Sequence, residues 1–579
     1  MAFKHTREIA VFFRILINRM QSSLKQEMNA TRRSPRCYHR RASTLKLSSA
    51  IPLIFAVIWM ITAPLTSWVN AQPPQPAAIV HAATGKAANP IMQENQQLGS
   101  TEWRLDNPAT HGEIEGYASL TSVNQGDTIQ LFVSTNASAY RIEVFRMGWY
   151  AGLGGRQVAA AVDRPGIKQP RPTPDFEDDL IECDWKDPYV LQIPEDWVSG
   201  FYLAKLTASS GKQSYIIFVV REDDRASDFL FQSSVTTYQA YNNWGGKSLY
   251  EWNSRGRPVY EVSFNRPYAI SPNLKASYGV GAGEFLTNMQ PASRTSSSGW
   301  EYNMVRWLEK EGYDVTYATD IDTHADDKLL LSHRAFLAVG HDEYWSWQMR
   351  QNVEAARNQG INLGFFSSNT CYWQIRFKES KLTGGIYRTI VAYKELAGLD
   401  PFSRDADPSN DRQVTVRWRQ FPVRLPEAAL IGVMYQTDPV LADIVIAPTA
   451  PDWVLSNTGL APGDRLKGLL GYEVDRITAA SPPGTIAIAH SPYLYKDEIR
   501  YADMAVYQAT SGAMVFATGS MQWSWGLDDF NAPNLRPSYN SAAAQQLTRN
   551  VLTRLAHPAA VSCASSQEII PDPTVCPAA

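Results

Sequence analysis

Four stretches of this sequence concentrate side chains that can move protons, donate hydrogen bonds or stack. They are Gly340-His341-Asp342-Glu343-Tyr344-Trp345, Ser367-Ser368-Asn369-Thr370-Cys371-Tyr372-Trp373, His490-Ser491-Pro492-Tyr493 and Thr518-Gly519-Ser520-Met521-Gln522-Trp523-Ser524-Trp525. An imidazole or carboxylate suits proton transfer, and an amide such as Asn369 suits donation to a developing oxyanion. Each stretch follows a short apolar run, and in open parallel sheets ligands bind just beyond the carboxyl ends of the strands. If the four runs are parallel strands, their ends share one crevice.

The elements that must carry these residues alternate strand, helix, strand. Candidate strands lie at 229–235, 314–317, 335–340, 361–366, 485–489 and 513–517. One helix runs from Glu301 to Glu311 and closes at Gly312. A second is capped by Ser346, presents Met349, Val353 and Ala356 on one face and ends at Gly360, and a third runs from Ser541 to Leu555. This alternation predicts an α/β domain over residues 225–557, with a parallel sheet covered on both faces. A β-rich insertion is left at about 380–480, with strands expected at 413–419 and 430–435. Upstream, period-two runs at 128–134, 140–145, 202–206 and 215–220 predict an immunoglobulin-like β-sandwich over 99–224.

At about 150 residues per domain, 579 residues make two to four domains, and 44 % apolar with 19 % charged residues is a globular composition. The net charge is −3, but residues 1–71 hold 11 Lys/Arg against 2 Asp/Glu, so the remainder carries 43 against 55, or −12. That balance disfavours a nucleic-acid partner.

The basic segment from Arg32 to Lys46 precedes an apolar run at 51–61 bracketed by Pro52 and Pro64, and Val69-Asn70-Ala71 fits a small-x-small cleavage site. Residues 1–71 therefore read as a signal peptide, with an uncleaved transmembrane signal anchor over 51–69 as the alternative. Either makes the bulk of the chain exported: secreted, periplasmic or membrane-anchored. The long basic region is also compatible with initiation at Met20 or Met28. Residues 72–98, rich in Pro and Ala, read as an extended linker. Cys563 and Cys576, in the tail 558–579, are spaced to close a small disulfide loop, while Cys183 and Cys371 are isolated and no spacing suggests zinc.

The segments His341 to Ser346, Asn369-x-x-Tyr372-Trp373, Gly471-Tyr472-Glu473-Val474-Asp475-Arg476 and Trp523 to Asp528 resemble the large (beta) subunit of N,N-dimethylformamidase. The resemblance covers about 225–555, and Arg146 to Gly155 is similar to the β-domain that precedes it. It implies a glutamine-amidotransferase-like (flavodoxin-like) fold that holds mononuclear iron on two tyrosines and one glutamate and hydrolyses an amide. Carried over by motif, Tyr344 and Tyr372 are the tyrosinate ligands and Glu473 the carboxylate. Phenolate and carboxylate are hard donors suited to Fe3+, which would polarise a carbonyl and acidify water. His341, Asp342, Glu343 and His490 are then candidates for general base or for orienting the water, and Asn369 for the oxyanion donor. The implied substrate is a small linear amide, and a homo-oligomer is possible.

Structural roles stand beside each of these. Asp342 and Glu343 precede a helix and suit its positive end, Glu473 could pair with Arg476, and Trp523 and Trp525 could pack the core. A thiol enzyme using Cys371 with His341 or His490 as base is a second reading, although Asn-Thr-Cys-Tyr lacks a Gly-x-Cys-x-Gly elbow. A third is a non-catalytic cell-envelope or glycan-binding protein on a degenerate enzyme fold.

Overall fold

The computed structural model describes residues 89–291 and 296–557. The basic leader, the apolar run 51–69 and Cys563 and Cys576 lie outside these residues. Among the described residues no helix is long and apolar enough to cross a membrane. The expectation of a transmembrane span is corrected to this extent: none is found among the described residues, and the run 51–69 lies outside them.

The chain is multidomain, with mixed α/β sheets. In its first part, a three-stranded sheet of Ile114–Ala118, Thr128–Thr135 and Tyr189–Gln192 faces a six-stranded one. The larger sheet centres on Ala139–Met147, Gly200–Ala208 and Gln213–Arg221. Alternate residues from both, among them Ile129, Leu131, Val133, Ile142, Val144, Ala204, Leu206, Ile216 and Phe218, form one buried core. The end of the expected linker is not extended: Pro90–Glu94 is a helix whose N-cap Asn89 accepts from the Ile91 amide, and Ile91 is buried.

A seven-stranded sheet dominates the second part. Its strands are β1 (Phe229–Ser233), β2 (Val315–Thr319), β3 (Ala335–His341), β4 (Asn362–Ser368), β5 (Ile486–Tyr495), β6 (Glu498–Gln508) and β7 (Met514–Ala517), in the order β2-β1-β3-β4-β7-β6-β5. The first five in that order are mutually parallel, but β6 is antiparallel to both β7 and β5. The expectation of a wholly parallel sheet is thus corrected. The cause is a tight turn at Lys496 and Asp497, both at positive φ, which joins β5 directly to β6.

Helices cover both faces. Phe229, Phe231, Leu337, Val339 and Phe366 pack with helices α1 (Glu301–Glu311) and α3 (Ala542–Ala556). Leu230, Phe336, Ala338, Leu363 and Phe365 pack with Met349, Val353 and Ala356 of α2 (Trp347–Asn358). The alternation along each strand explains the runs of apolar residues that marked them. The two parts are locked by Arg146, whose guanidinium bonds both carboxylate oxygens of Glu309 on α1 at 2.8 and 3.0 Å, with both side chains 0 % exposed.

Of the two strands expected in the insertion, one starts later and one is absent. Residues 430–435 open as a single helical turn, Ala428–Ile431, which Gly432, at φ 91°, ends; the strand begins at Met434. Residues 413–419 make only an isolated bridge, Trp373 with Arg417. Their alternating valines are buried, but carbonyls of Val414 and Val416 bond the side chain and backbone of Gln374 respectively. The insertion instead contributes a long hairpin of Met434–Val445 and Arg465–Arg476.

Candidate active site

β3 ends in a turn that only glycine fits well. Gly340 has φ +70°, and a Cβ there would stand 2.5 Å from the Trp300 Cβ. The turn delivers His341, Asp342 and Glu343, after which Tyr344–Ser346 pairs in parallel with Trp373–Lys378. Beyond β4, Asn369 and Cys371 both adopt positive φ, which folds the chain back so that the Cys371 amide bonds the Asp342 carbonyl. The Tyr372 and Trp373 amides both bond the Glu343 carbonyl, at 2.8 and 3.0 Å. Tyr344 and Tyr372 are thereby held on adjacent segments.

Glu473 arrives from the inserted hairpin. The Asp475 amide bonds the Gly519 carbonyl beyond β7, and Asp475 Oδ1 accepts from the Asn369 amide and the Ser368 hydroxyl. This clamp ties the hairpin to the ends of β4 and β7. Glu473 is buried while Arg476 is exposed, so the Glu473–Arg476 pairing is not formed; three residues apart, they face opposite sides of the strand.

At the centre is His341, with Nε2 3.2 Å from Glu343 Oε2 and 3.9 Å from Glu473 Oε2, and Nδ1 3.6 Å from Glu284 Oε2. Neither ring nitrogen makes a well-directed hydrogen bond; these are ion-pair contacts. Burial opposes charge on the imidazole, but Glu284, Glu343 and Glu473 outweigh it and hold His341 well above its ordinary range. In return His341 overcomes the burial of Glu343 and holds that carboxyl low. Burial drives Glu473 well above the carboxylate range, with His341 opposing and Glu343 and Asp438 adding to the rise.

A layer of phenols covers these carboxylates. Tyr344 donates to the Tyr250 hydroxyl at 2.5 Å, and Tyr250 lies 2.8 Å from the Tyr241 hydroxyl and 3.1 Å from Glu343 Oε2. Lys394 Nζ stands 3.4 Å from the Tyr250 ring centre, and burial pulls this ammonium down to about 8. Burial keeps Tyr344 well above 10, reinforced by Glu343. Tyr372 is half-buried between Arg417 and Arg419, and burial pushes its phenol up to about 12 against those two cations.

The structure brings His341, Glu343, Tyr344, Tyr372, Asn369 and Glu473 into one region. It does not bring His490 there. β5 runs in the same sense as β7 but lies two strands further out, and His490 is 52 % exposed with Nδ1 2.7 Å from Asp503. Asp342 is occupied structurally, accepting from Gln232 Nε2 and Trp345 Nε1, both at 2.8 Å. The Trp523 and Trp525 indoles are buried, bonded to Thr548 and to the Gly299 carbonyl. Cys371 is buried in the core beside α2, and burial holds its thiol well above 9. Sequence reasoning missed Glu284, Tyr241, Tyr250 and Lys394; of these only Glu284, in Gly281-Ala-Gly283-Glu284, had a local signal.

The donor set fits a hard cation. Glu473 Oε2 and Asn369 Oδ1 are buried without hydrogen-bond partners, and buried phenols beside two carboxylates gain most from an added positive charge. A separate exposed group, Asp175, Glu177 and Asp178, has carboxylate oxygens within 4.8 Å of one another and could also coordinate a cation, with Lys381 already 2.6 Å from Asp178.

A mixed α/β core with a buried oxygen-rich cluster at its strand ends defines the class. The chain belongs to the N,N-dimethylformamidase beta subunit-like, C-terminal family, whose pattern matches residues 141–539. Curated relatives include the N,N-dimethylformamidase beta subunits of Paracoccus aminophilus, 21 % identical over 449 residues, and of Alcaligenes sp, 22 % over 459. Each comparison covers 65 % of this chain and 55 % of the relative, so the chain spans about half the length of these proteins. A Paenibacillus sp. cycloisomaltooligosaccharide glucanotransferase structure, complexed with cycloisomaltoheptaose, aligns over 70 % of this chain and 68 % of its own at 11 % identity, with a TM-score of only 0.15.

Proposed function

We propose that this protein is an exported, metal-dependent hydrolase of small linear amides or related C–N bonds. The observation that carries the reading is the convergence of His341, Glu343 and Glu473, with Glu473 Oε2 free of hydrogen bonds, beside the phenols of Tyr344 and Tyr372. Family membership supports it, since the relatives are named for hydrolysis of N,N-dimethylformamide. In this reading the β-region is immunoglobulin-like, the α/β region is glutamine-amidotransferase-like, and the boundaries near 99, 225 and 557 are those of the domains.

Tyr344, Tyr372 and Glu473 would hold the cation, an iron by family analogy. Bound there, trivalent iron supplies Lewis acidity toward a carbonyl and toward water. The chain's own groups do the rest. Glu343, held ionised by His341, accepts a proton from the attacking water. The His341 imidazolium stands ready to return a proton to the departing amine nitrogen. Asn369, its backbone fixed by Asp475, presents its amide to the oxyanion. Tyr250 and Tyr241 orient Glu343 by hydrogen bonding.

The test is a panel of formamides, acetamides and larger amides assayed with iron-supplemented and chelator-treated protein. Chelator-sensitive hydrolysis that Glu343→Gln lowers by about 100-fold or more is expected. Absence of hydrolysis from every iron-loaded sample, with glycan binding instead, would favour the envelope-protein alternative.

A further inference from the structure

Arg266 and Arg388 are only 2 % and 4 % exposed, yet no carboxylate pairs with either among the described residues. Arg266 gives its two terminal nitrogens to the carbonyls of Trp244, Lys247 and Asn242, and its buried Nε has no partner. Arg388 donates from Nε to Asn265 Oδ1 at 2.8 Å and from Nη2 to the Ala118 carbonyl at 3.0 Å. Neutral acceptors satisfy hydrogen bonds without cancelling charge, and a buried guanidinium does not shed its proton at neutral pH.

The neighbouring titratable groups leave the excess uncancelled. Glu182, the carboxylate that acts on Arg388, has Oε1 held by Ser263 and Asn265 and makes no ion pair with either arginine. Cys183, Tyr117 and Tyr268 are kept neutral by burial. Of the carboxyls that act on Tyr268, Asp320 accepts from the Thr236 amide and Glu284 faces His341. Burial pulls both guanidiniums down to about 10, which is the cost of the missing counter-charge.

Both arginines line a cavity of about 30 Å³, walled by Phe201, Phe264 and Tyr268, with exposed Leu120 at its rim. That volume admits a water or a halide-sized ion. We propose that Arg266 and Arg388 bind a small monovalent anion, chloride in solution, in this cavity. The ion fastens the β-region, through Ala118 to Thr121 and Ile216 to Val219, to the loops carrying Arg266 and Arg388. This site is independent of the chemistry at Glu473.

The experiment measures thermal unfolding of the full chain at constant ionic strength in sodium chloride, bromide or gluconate, together with anomalous diffraction from bromide-soaked crystals. A saturable rise of about 2 °C or more in chloride and bromide but not gluconate is expected. So is one bromide peak between Arg266 and Arg388, with the halide dependence lost in Arg388→Met. Identical unfolding in all three salts with no peak would overturn the site, leaving a cavity for water alone. A peak without saturable stabilisation would overturn it equally, as occupancy at crystal concentration only. The wild-type measurements decide the matter even if Arg388→Met fails to fold.

Discussion

Glu473 Oε2 lies 3.9 Å from His341 Nε2, joining a strand of the inserted hairpin to the end of the central strand β3. The contact depends on the clamp that Asp475 makes to Asn369 and Gly519. Glu473→Gln keeps the shape and removes the charge. It should lower metal affinity and amide hydrolysis by more than the roughly 10–100-fold typical of an outer-shell partner, with the unfolding midpoint little changed. Metal titration and steady-state kinetics check both. Asp475→Ala should weaken both as well, by releasing the hairpin from Asn369.

Cys371 is fully buried and its thiol is held well above 9 by burial. Iodoacetamide at neutral pH should leave activity intact, and Cys371→Ala should retain turnover within about threefold while losing some stability to the cavity. Stoichiometric alkylation with parallel loss of activity would restore the thiol-enzyme reading.

Arg146 and Glu309 form a doubly bonded pair with no solvent contact, and Arg146 also bonds the Tyr150 hydroxyl and the Ser199 carbonyl. Glu309→Gln should destabilise the chain by about 3–5 kcal/mol in denaturant unfolding, because it leaves a buried guanidinium unpaired. Replacing both residues by apolar ones should recover part of that loss.

Glu301, at the start of α1, is completely buried, and burial pushes its carboxyl up to about 8. Its folded value lies above its unfolded one, so the folded state binds the extra proton. Stability from this group is therefore fully present below about 4.5 and falls as pH rises toward 8. Glu301→Gln should flatten that decline. Unfolding free energies of the two proteins at pH 5 and 8 provide the comparison.

His490 is ion-paired with Asp503 at the sheet edge and more than half exposed. His490→Ala should change turnover by less than about threefold, in contrast to His341→Ala, which removes the group at the centre of three carboxylates. Parallel kinetics of the two variants test the assignment.

Much of the fold was legible because its cues are local. Gly312 at φ +73° ends α1 at the expected residue, Ser346 bonds the Met349 amide to cap α2, and Ser541 caps α3. Turns and pairings were harder to read. The Lys496-Asp497 hairpin has no glycine to announce it, and the first residues of β6, Glu498 to Tyr501, are largely exposed and mix polar with apolar side chains. In the site, His341 to Tyr344 and Tyr372 stood out because they follow apolar strands. Glu284, Tyr250 and Lys394 come from loops far away in sequence, and only tertiary packing brings them to His341 and Glu343.

The central claim is that Tyr344, Tyr372 and Glu473 hold one metal ion. Purified protein after iron supplementation, analysed by mass spectrometry and visible absorption beside Tyr344→Phe and Tyr372→Phe, tests it directly. About one iron per chain and a tyrosinate band weakened in each variant are expected. A colourless wild-type protein without stoichiometric metal would contradict it.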